Sequence, residues 1–519
     1  MPVRIVIAPR RSLGLYAVLS ILMVCVSYLL IMAVAFLCVY LPYRGLLAMT
    51  NLQLLLLLVG GVVVAGTLLW SLVPRRHKFE APGPLLQRSA HPKLFGMVDE
   101  VAAALNEPLP QEVYLIADPN AFVANRGGFL SFGSKRILAI GLPLLWTLNV
   151  SEFRAVLAHE FGHYYGGDTK MASWVFRAQK AMVSVFQNLG AVGWIARVGI
   201  VRLLYYLVAT FVGWYFTAFL KVVKFISRKQ EFRSDELACI VAGTQPMMSG
   251  LRKIHGAFVA WPLYWSSEVS PILGLGFLPT IGDGFSMFLA APQISAQVES
   301  AIKEELAEGK TSAFDSHPPL AERLAAMDKL QISQRETEVL GAWTLVEKPE
   351  ELEMQFLQHH NPQMQPNSLQ RVGWEEAAQK VLVPLWRKSA QDYFMLLEGI
   401  NVVSLPEKLK QLPQLGTKMR NPKGRLFSRE QGEAQATKLL ATALGVALVD
   451  NGWNLSAEPG RFRIYRGADE MDVFQAVQDC VTGKMSAEAW TNRCKELGIA
   501  ELSLVPATDP VERASSLTS

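Results

Sequence analysis

Between Ser12 and Tyr43 the chain carries no charged side chain, and between Gly45 and Pro74 it again carries none; only Arg44 separates the two runs. Each run is roughly 30 residues long, and about 20 apolar residues suffice to cross a hydrocarbon core as a helix. Backbone inside lipid must satisfy its own hydrogen bonds, so the two runs predict a helical transmembrane hairpin over 12–74. A cleaved leader fits less well, because the first run exceeds an ordinary signal core and no A-x-A-like site follows it. Arg4, Arg10 and Arg11 precede the first run, and Arg75, Arg76 and Lys78 follow the second. Positive flanks stay in the cytoplasm, so both ends of the hairpin are expected there.

Composition agrees with a membrane protein of more than one domain. The chain has 519 residues, 51% of them hydrophobic, and a positive mean hydropathy of +0.22. Its net charge of +5 is small for this length, and no basic stripe is interleaved with aromatics; nucleic acid is therefore not an expected partner. The five cysteines, Cys25, Cys38, Cys239, Cys480 and Cys494, lie far apart and form no CxxC pair. A thiolate zinc site and a disulfide-stapled secreted fold are thereby disfavoured.

Beyond the hairpin, His91 to Leu105 has the apolar spacing of an amphipathic helix. Glu112–Ala117, Ala121–Ala124 and Arg136–Leu142 read as strands separated by turn signals at Pro119-Asn120 and Gly127-Gly128. Asn149 and Glu152 have capping-box spacing, which starts a helix that runs to Tyr165 and stops at Gly166-Gly167. A second apolar hairpin is expected over 178–226, with Leu203–Leu220 as its better span. Residues 257–298 are apolar and aromatic but interrupted by Pro262, Pro271 and Pro279, and fit an interfacial insertion and a packed core equally. Residues 300–310 and a segment after Pro319 read as polar helices. Segments 370–400 and 428–450 also read as helices, and Phe462–Tyr465 as a strand. A soluble accessory domain is expected over 345–519, with a disordered extreme tail.

The chemistry centres on His159-Glu160-Phe161-Gly162-His163. On a helix, residues four apart share a face, so both imidazoles of this H-E-x-x-H sequence can reach one metal ion. Glu160 lies beside that face, where its carboxylate can take a proton from water. Zinc suits the pattern, since catalytic zinc takes three protein ligands and keeps one position open. Gly162 within the helix costs roughly 1 kcal/mol relative to alanine, which points to close approach by another segment. For the third ligand, Glu231 and Asp235 again stand four apart: one carboxylate can bind the metal while the other orients a ligand histidine. A pair of carboxylates on a solvated helix face would show the same spacing.

The chain resembles the membrane metallopeptidase family that includes the heat-shock protease HtpX and the CAAX prenyl endopeptidases. The resemblance rests on Asn120-Ala121-Phe122, on Leu157-Ala158 followed by the H-E-x-x-H residues, on Ser227-Arg228 through Glu231, Asp235 and Ala238, and on Ser316-His317-Pro318-Pro319-Leu320 with Arg323. These pieces occur in the family's order over roughly residues 90–330. The resemblance implies a gluzincin-type site with one Zn2+ per chain, His159, His163 and Glu231 as ligands, Glu160 as base and Asp235 orienting a ligand. It further implies that His317 and Arg323 face the tetrahedral oxyanion, and that the strand at Asn120, Ala121 and Phe122 aligns the substrate backbone by β-addition. The span arrangement is closer to HtpX than to the CAAX enzymes.

The expected fold class is α+β: a multi-pass α-helical membrane protein with a mainly helical gluzincin-like peptidase domain over 76–335, a small β-sheet, and the accessory domain. The expected function is zinc-dependent endoproteolysis of membrane or membrane-proximal proteins. Its partners are protein or peptide substrates and the lipid bilayer, and its catalytic domain faces the cytoplasm from the inner membrane. The competing expectation is an inactive membrane scaffold with a peptidase-like fold.

Overall fold

The computed structural model describes residues 11–49, 51–73, 79–126, 134–164, 169–197, 199–309, 317–330, 332, 337–363, 369–420 and 426–506. The basic flanks at Arg4, Arg10, Arg75, Arg76 and Lys78, the turn signals Gly127-Gly128 and Gly166-Gly167, Ser316 and the extreme tail lie outside the described residues. The chain forms two compact units, Met1–Phe258 with Glu299–His360, and Val259–Val298 with Asn361–Ser519.

In the first unit the two uncharged runs are the helices α1 (Arg11–Ala48) and α2 (Leu52–Leu72). Asn51 caps α2 by accepting a hydrogen bond from the Gln53 amide, which makes the turn between the spans short. Both helices pack against α6 (Thr169–Ala191) and α7 (Gly199–Ala242). Their shared core contains Ile31 and Cys38 of α1, Leu68 of α2, Val185 of α6 and Val212 of α7. A Cβ at Gly61 would stand 2.0 Å from the Cys38 carbonyl oxygen, so the α1–α2 contact is backbone against backbone, as small residues permit in membranes. Leu29, Phe36, Leu207 and Trp214 point outward and are exposed, the arrangement expected of lipid-facing side chains. Among the described residues, three helices are long and apolar enough to cross a membrane: Ile21–Ala48, Leu52–Leu72 and Gly199–Ala242. Of the expected second hairpin, α7 meets that standard and α6 does not, although α6 packs on the same core.

The water-facing part of this unit is built on a three-stranded sheet, β1 (Glu112–Ile116), β2 (Ala121–Arg126) and β3 (Lys135–Gly141), in the order β1-β3-β2. The apolar run of β3 is buried almost throughout and takes the centre. It pairs parallel to β1 and antiparallel to β2, with Val123 opposite Leu138. Strand β2 is thus an edge. Helices α3 (Pro92–Ala104), α4 (Leu142–Thr147) and α5 (Val150–Gly162) complete the layer; α8 (Thr244–Tyr264) follows α7 after Gly243. The three strands fall within two residues of their sequence-based bounds, and the capping box of α5 forms as the spacing requires.

The second unit is organised around the helix Arg429–Asp450, whose Leu439, Leu440, Leu444 and Leu448 are buried. An antiparallel sheet of Asn454–Glu458, Arg461–Arg466 and Asp469–Met471 belongs to the same core. Residues 259–298 pack into this unit: Phe277–Pro279 pairs in parallel with Gln370–Val372, and Tyr264, Phe285 and Trp374 stack within one aromatic cluster. The 370–400 region is a strand followed by broken helical pieces, rather than one helix.

Candidate active site

Helix α5 is fixed at both ends. At its start Asn149 Oδ1 accepts from the Glu152 amide, while Glu152 Oε2 accepts from the Asn149 amide. Glu152 is buried and also accepts from Ser249 Oγ at 2.6 Å and from Lys253 Nζ at 2.8 Å. The carboxylate therefore ties α8 to the first turn of α5. Towards its end, Leu157, Ala158 and Phe161 are fully buried, which leaves His159, Glu160 and His163 at the border of the core. A Cβ at Gly162 would meet Ser234 Cα at 3.1 Å. Glycine there lets α7 lie directly against α5, the close approach that its cost within a helix had suggested.

That contact brings the two carboxylates of α7 to the two histidines. His159 Nε2 and His163 Nε2 are 3.2 Å apart. Glu231 Oε2 lies 3.5 Å from the first and Glu231 Oε1 3.6 Å from the second. Behind them, Asp235 Oδ1 is 3.0 Å from His159 Nδ1, with poor angular alignment, and Ser234 Oγ is 3.2 Å from His163 Nδ1. Arg323, on the helix Leu320–Asp328, grips Asp235 with Nε at 2.8 Å and Nη2 at 2.6 Å. Its Nη1 lies 3.5 Å from Glu231 Oε2. His317, largely exposed, places Nδ1 3.0 Å from Glu231 Oε1. Asn120, Ala121 and Phe122 lie at the start of edge strand β2, and Tyr164 donates to the Val123 carbonyl oxygen at 2.6 Å.

The electrostatics follow from burial and these contacts. Desolvation opposes the charged form of His159, but the adjacent carboxylates of Asp235 and Glu231 override it and raise the group to about 10. Burial and the neighbouring His159 hold His163 down at about 4. Burial raises Glu160 to about 7, against the pull of His159. A carboxyl group poised near neutrality can both accept and return a proton.

The donor set fits a zinc ion. Tetrahedral ligands 2.0–2.1 Å from zinc stand about 3.3–3.4 Å from one another; the two histidine Nε2 atoms are 3.2 Å apart, and the Glu231 carboxylate presents Oε2 to His159 at 3.5 Å and Oε1 to His163 at 3.6 Å. Glu231 Oε2 is buried without a hydrogen bond among the described residues, its nearest partners being His159 Nε2 and Arg323 Nη1, each at 3.5 Å, and so loose a pairing of a buried carboxylate oxygen suits a further cation. His159, Glu160 and His163 also bring donor atoms within 4.8 Å of one another, a spacing that could hold a metal. Neighbours on a helix diverge by about 100°, so Glu160 stands to one side of His159 on α5, whereas Glu231 meets both imidazoles from α7.

Ser234, Tyr164 and the Glu152–Lys253 clamp carry no sequence signal of their own. Ser234 could have been found from Gly162, which requires a close partner. The pair His359-His360 ends the helix Pro349–His360, where His360 Nδ1 lies 3.0 Å from the Phe356 carbonyl oxygen.

Comparison with known proteins bears on the same residues. Residues 89–331 match the sequence model of peptidase family M48. The protease HtpX of Idiomarina loihiensis is 28% identical over 181 residues, covering 33% of this chain and 59% of that protein. HtpX homolog 2 of Methanosarcina mazei is 26% identical over 331 residues, covering 62% and 97%. The HtpX homolog of Pyrobaculum aerophilum is 28% identical over 264 residues, covering 46% and 68%. No solved structure gives a significant match. The α5 histidines, the α7 carboxylates, the sheet and Arg323 all fall inside residues 89–331, the stretch that matches the sequence model of peptidase family M48.

Proposed function

We propose that this chain is a membrane-anchored zinc endopeptidase acting on extended segments of membrane or membrane-proximal proteins. The observation that carries the reading is the convergence of His159 Nε2, His163 Nε2 and the Glu231 carboxylate, with contacts of 3.2 to 3.6 Å. Zinc held there supplies Lewis acidity and an acidified water in its open position. Glu160 accepts the proton of the attacking water on its carboxylate and delivers it to the leaving amine. Asp235 holds His159 from behind, and Arg323 holds Asp235. Arg323 commits Nε and Nη2 to Asp235 and turns Nη1 toward Glu231 Oε2 at 3.5 Å, so we assign it a positioning role. The oxyanion falls to His317, which stands at the mouth of the site. The substrate backbone adds to the outer edge of β2.

The charge flanks of the spans favour a cytoplasmic peptidase domain. The test of the chemistry is Glu160→Gln, whose amide cannot accept the proton. Purified in detergent, this variant should keep wild-type zinc by elemental analysis and lose about 10²- to 10⁴-fold in casein cleavage. A zinc-loaded wild type that cleaves nothing would instead favour a scaffold.

A further inference from the structure

The edge of β2 is already in use. Gly141 N–H donates to the Asn120 carbonyl at 2.8 Å, so Asn120 turns its main-chain groups toward β3. Main-chain groups alternate sides along an antiparallel strand. Phe122 and Ala124 therefore also face β3, and Ala121, Val123 and Asn125 face the open side, where an added strand would pair. Two of those outward groups have partners from this chain. Asn120 Oδ1 accepts the Ala121 N–H at 2.9 Å, and the Val123 carbonyl accepts the Tyr164 hydroxyl at 2.6 Å.

The second bond comes from the residue directly after the candidate ligand His163. The Tyr164 ring is not free to swing: the Arg136 guanidinium lies 4.8 Å from its centroid. Arg136 is itself buried and held by Glu107 at 2.9 Å and by the Pro108 carbonyl at 3.1 Å. The hydroxyl is thus aimed at the one carbonyl in the middle of the edge. Nothing in the proton transfer assigned to Glu160 uses it.

We propose that Tyr164 is a latch on the substrate edge: its hydroxyl holds the Val123 carbonyl until the N–H of an extended peptide displaces it. The inference rests on β2 being the substrate strand. It identifies the competing ligand by chemistry, as unfolded backbone with free N–H groups in register with Val123. A segment whose amides are bonded within its own helix or sheet cannot displace the phenol, so the latch selects for unfolded chain. A tyrosine that instead donates to the reacting carbonyl would have the opposite effect on turnover.

The test uses full-length protein in detergent, with Tyr164→Phe made alone and in the Glu160→Gln background. Binding of a fluorescein-labelled, unstructured casein peptide is read by anisotropy on the Glu160→Gln pair, and turnover on the single variant, with zinc content certifying the fold of each sample. Loss of one competing hydrogen bond should tighten binding about 2- to 10-fold and lower KM with kcat unchanged. Equal or weaker binding, or a fall in kcat, would overturn the latch. The two readings fail separately. A zinc-loaded wild type that cleaves no casein removes the peptidase assignment, while the binding comparison still reports on Tyr164. If wild-type protein cleaves casein and neither Glu160→Gln form binds the peptide, the latch alone is lost.

Discussion

Replacing Arg323 with methionine should destabilise the peptidase unit far more than an ordinary surface change. Arg323 and Asp235 are both buried, and two bonds of 2.8 and 2.6 Å join them. Methionine fills much of the same volume and leaves the Asp235 carboxylate buried without its counter-charge. Breaking one side of such a pair costs about 3–5 kcal/mol. For a unit of this size that corresponds to a fall in Tm of about 6–10 °C, followed by tryptophan fluorescence in detergent. Arg323→Lys keeps the charge but loses the planar fork, and should recover about half of the loss. The double variant Arg323→Met with Asp235→Leu removes both charges and should melt closer to wild type than either single variant. The reasoning is refuted if Arg323→Met alone melts within about 2 °C of wild type and retains its zinc.

Two further outcomes follow from the same geometry. Glu231→Ala should strip the metal, because it removes the third candidate ligand, whereas Asp235→Ala should weaken zinc about 10- to 100-fold; competition with a chromogenic chelator measures both, and a reversed order would exchange their roles. Single cysteines at the exposed positions Ser89 and Lys484, in a background without the five natural cysteines, should react with an impermeant maleimide only after cells are opened. Labelling of either in intact cells would overturn the cytoplasmic orientation.

Local chemistry made much of this protein readable. The spacing of Asn149 and Glu152 announced the start of α5, and Gly162 announced that something must lie against its end. Four-residue spacing put His159 with His163 and Glu231 with Asp235, because one helix turn relates each pair. The sequence could not say what lay 88 residues away, where Arg323 meets Asp235, since no periodicity links separate helices. The Tyr164–Val123 bond was hidden for the same reason. Residues 257–298 stayed ambiguous because Trp261, Tyr264 and Phe285 are as suitable for a bilayer surface as for a core; packing against Trp374 decides for the core.

Helix α7 is a single element of 44 residues, and it carries both a candidate span and the carboxylates Glu231 and Asp235. It is mechanically a lever with one arm in lipid. From Val212 to Glu231 the arm is about 28 Å at 1.5 Å per residue. A tilt of about 5°, small beside the spread seen among spans in bilayers of differing thickness, would carry Glu231 sideways by about 2.5 Å. Metal ligands tolerate roughly a tenth of that. The backbone contact at Gly162 and the grip of Arg323 on Asp235 therefore act as the fulcrum, pinning the catalytic end of the lever while its other end follows the membrane.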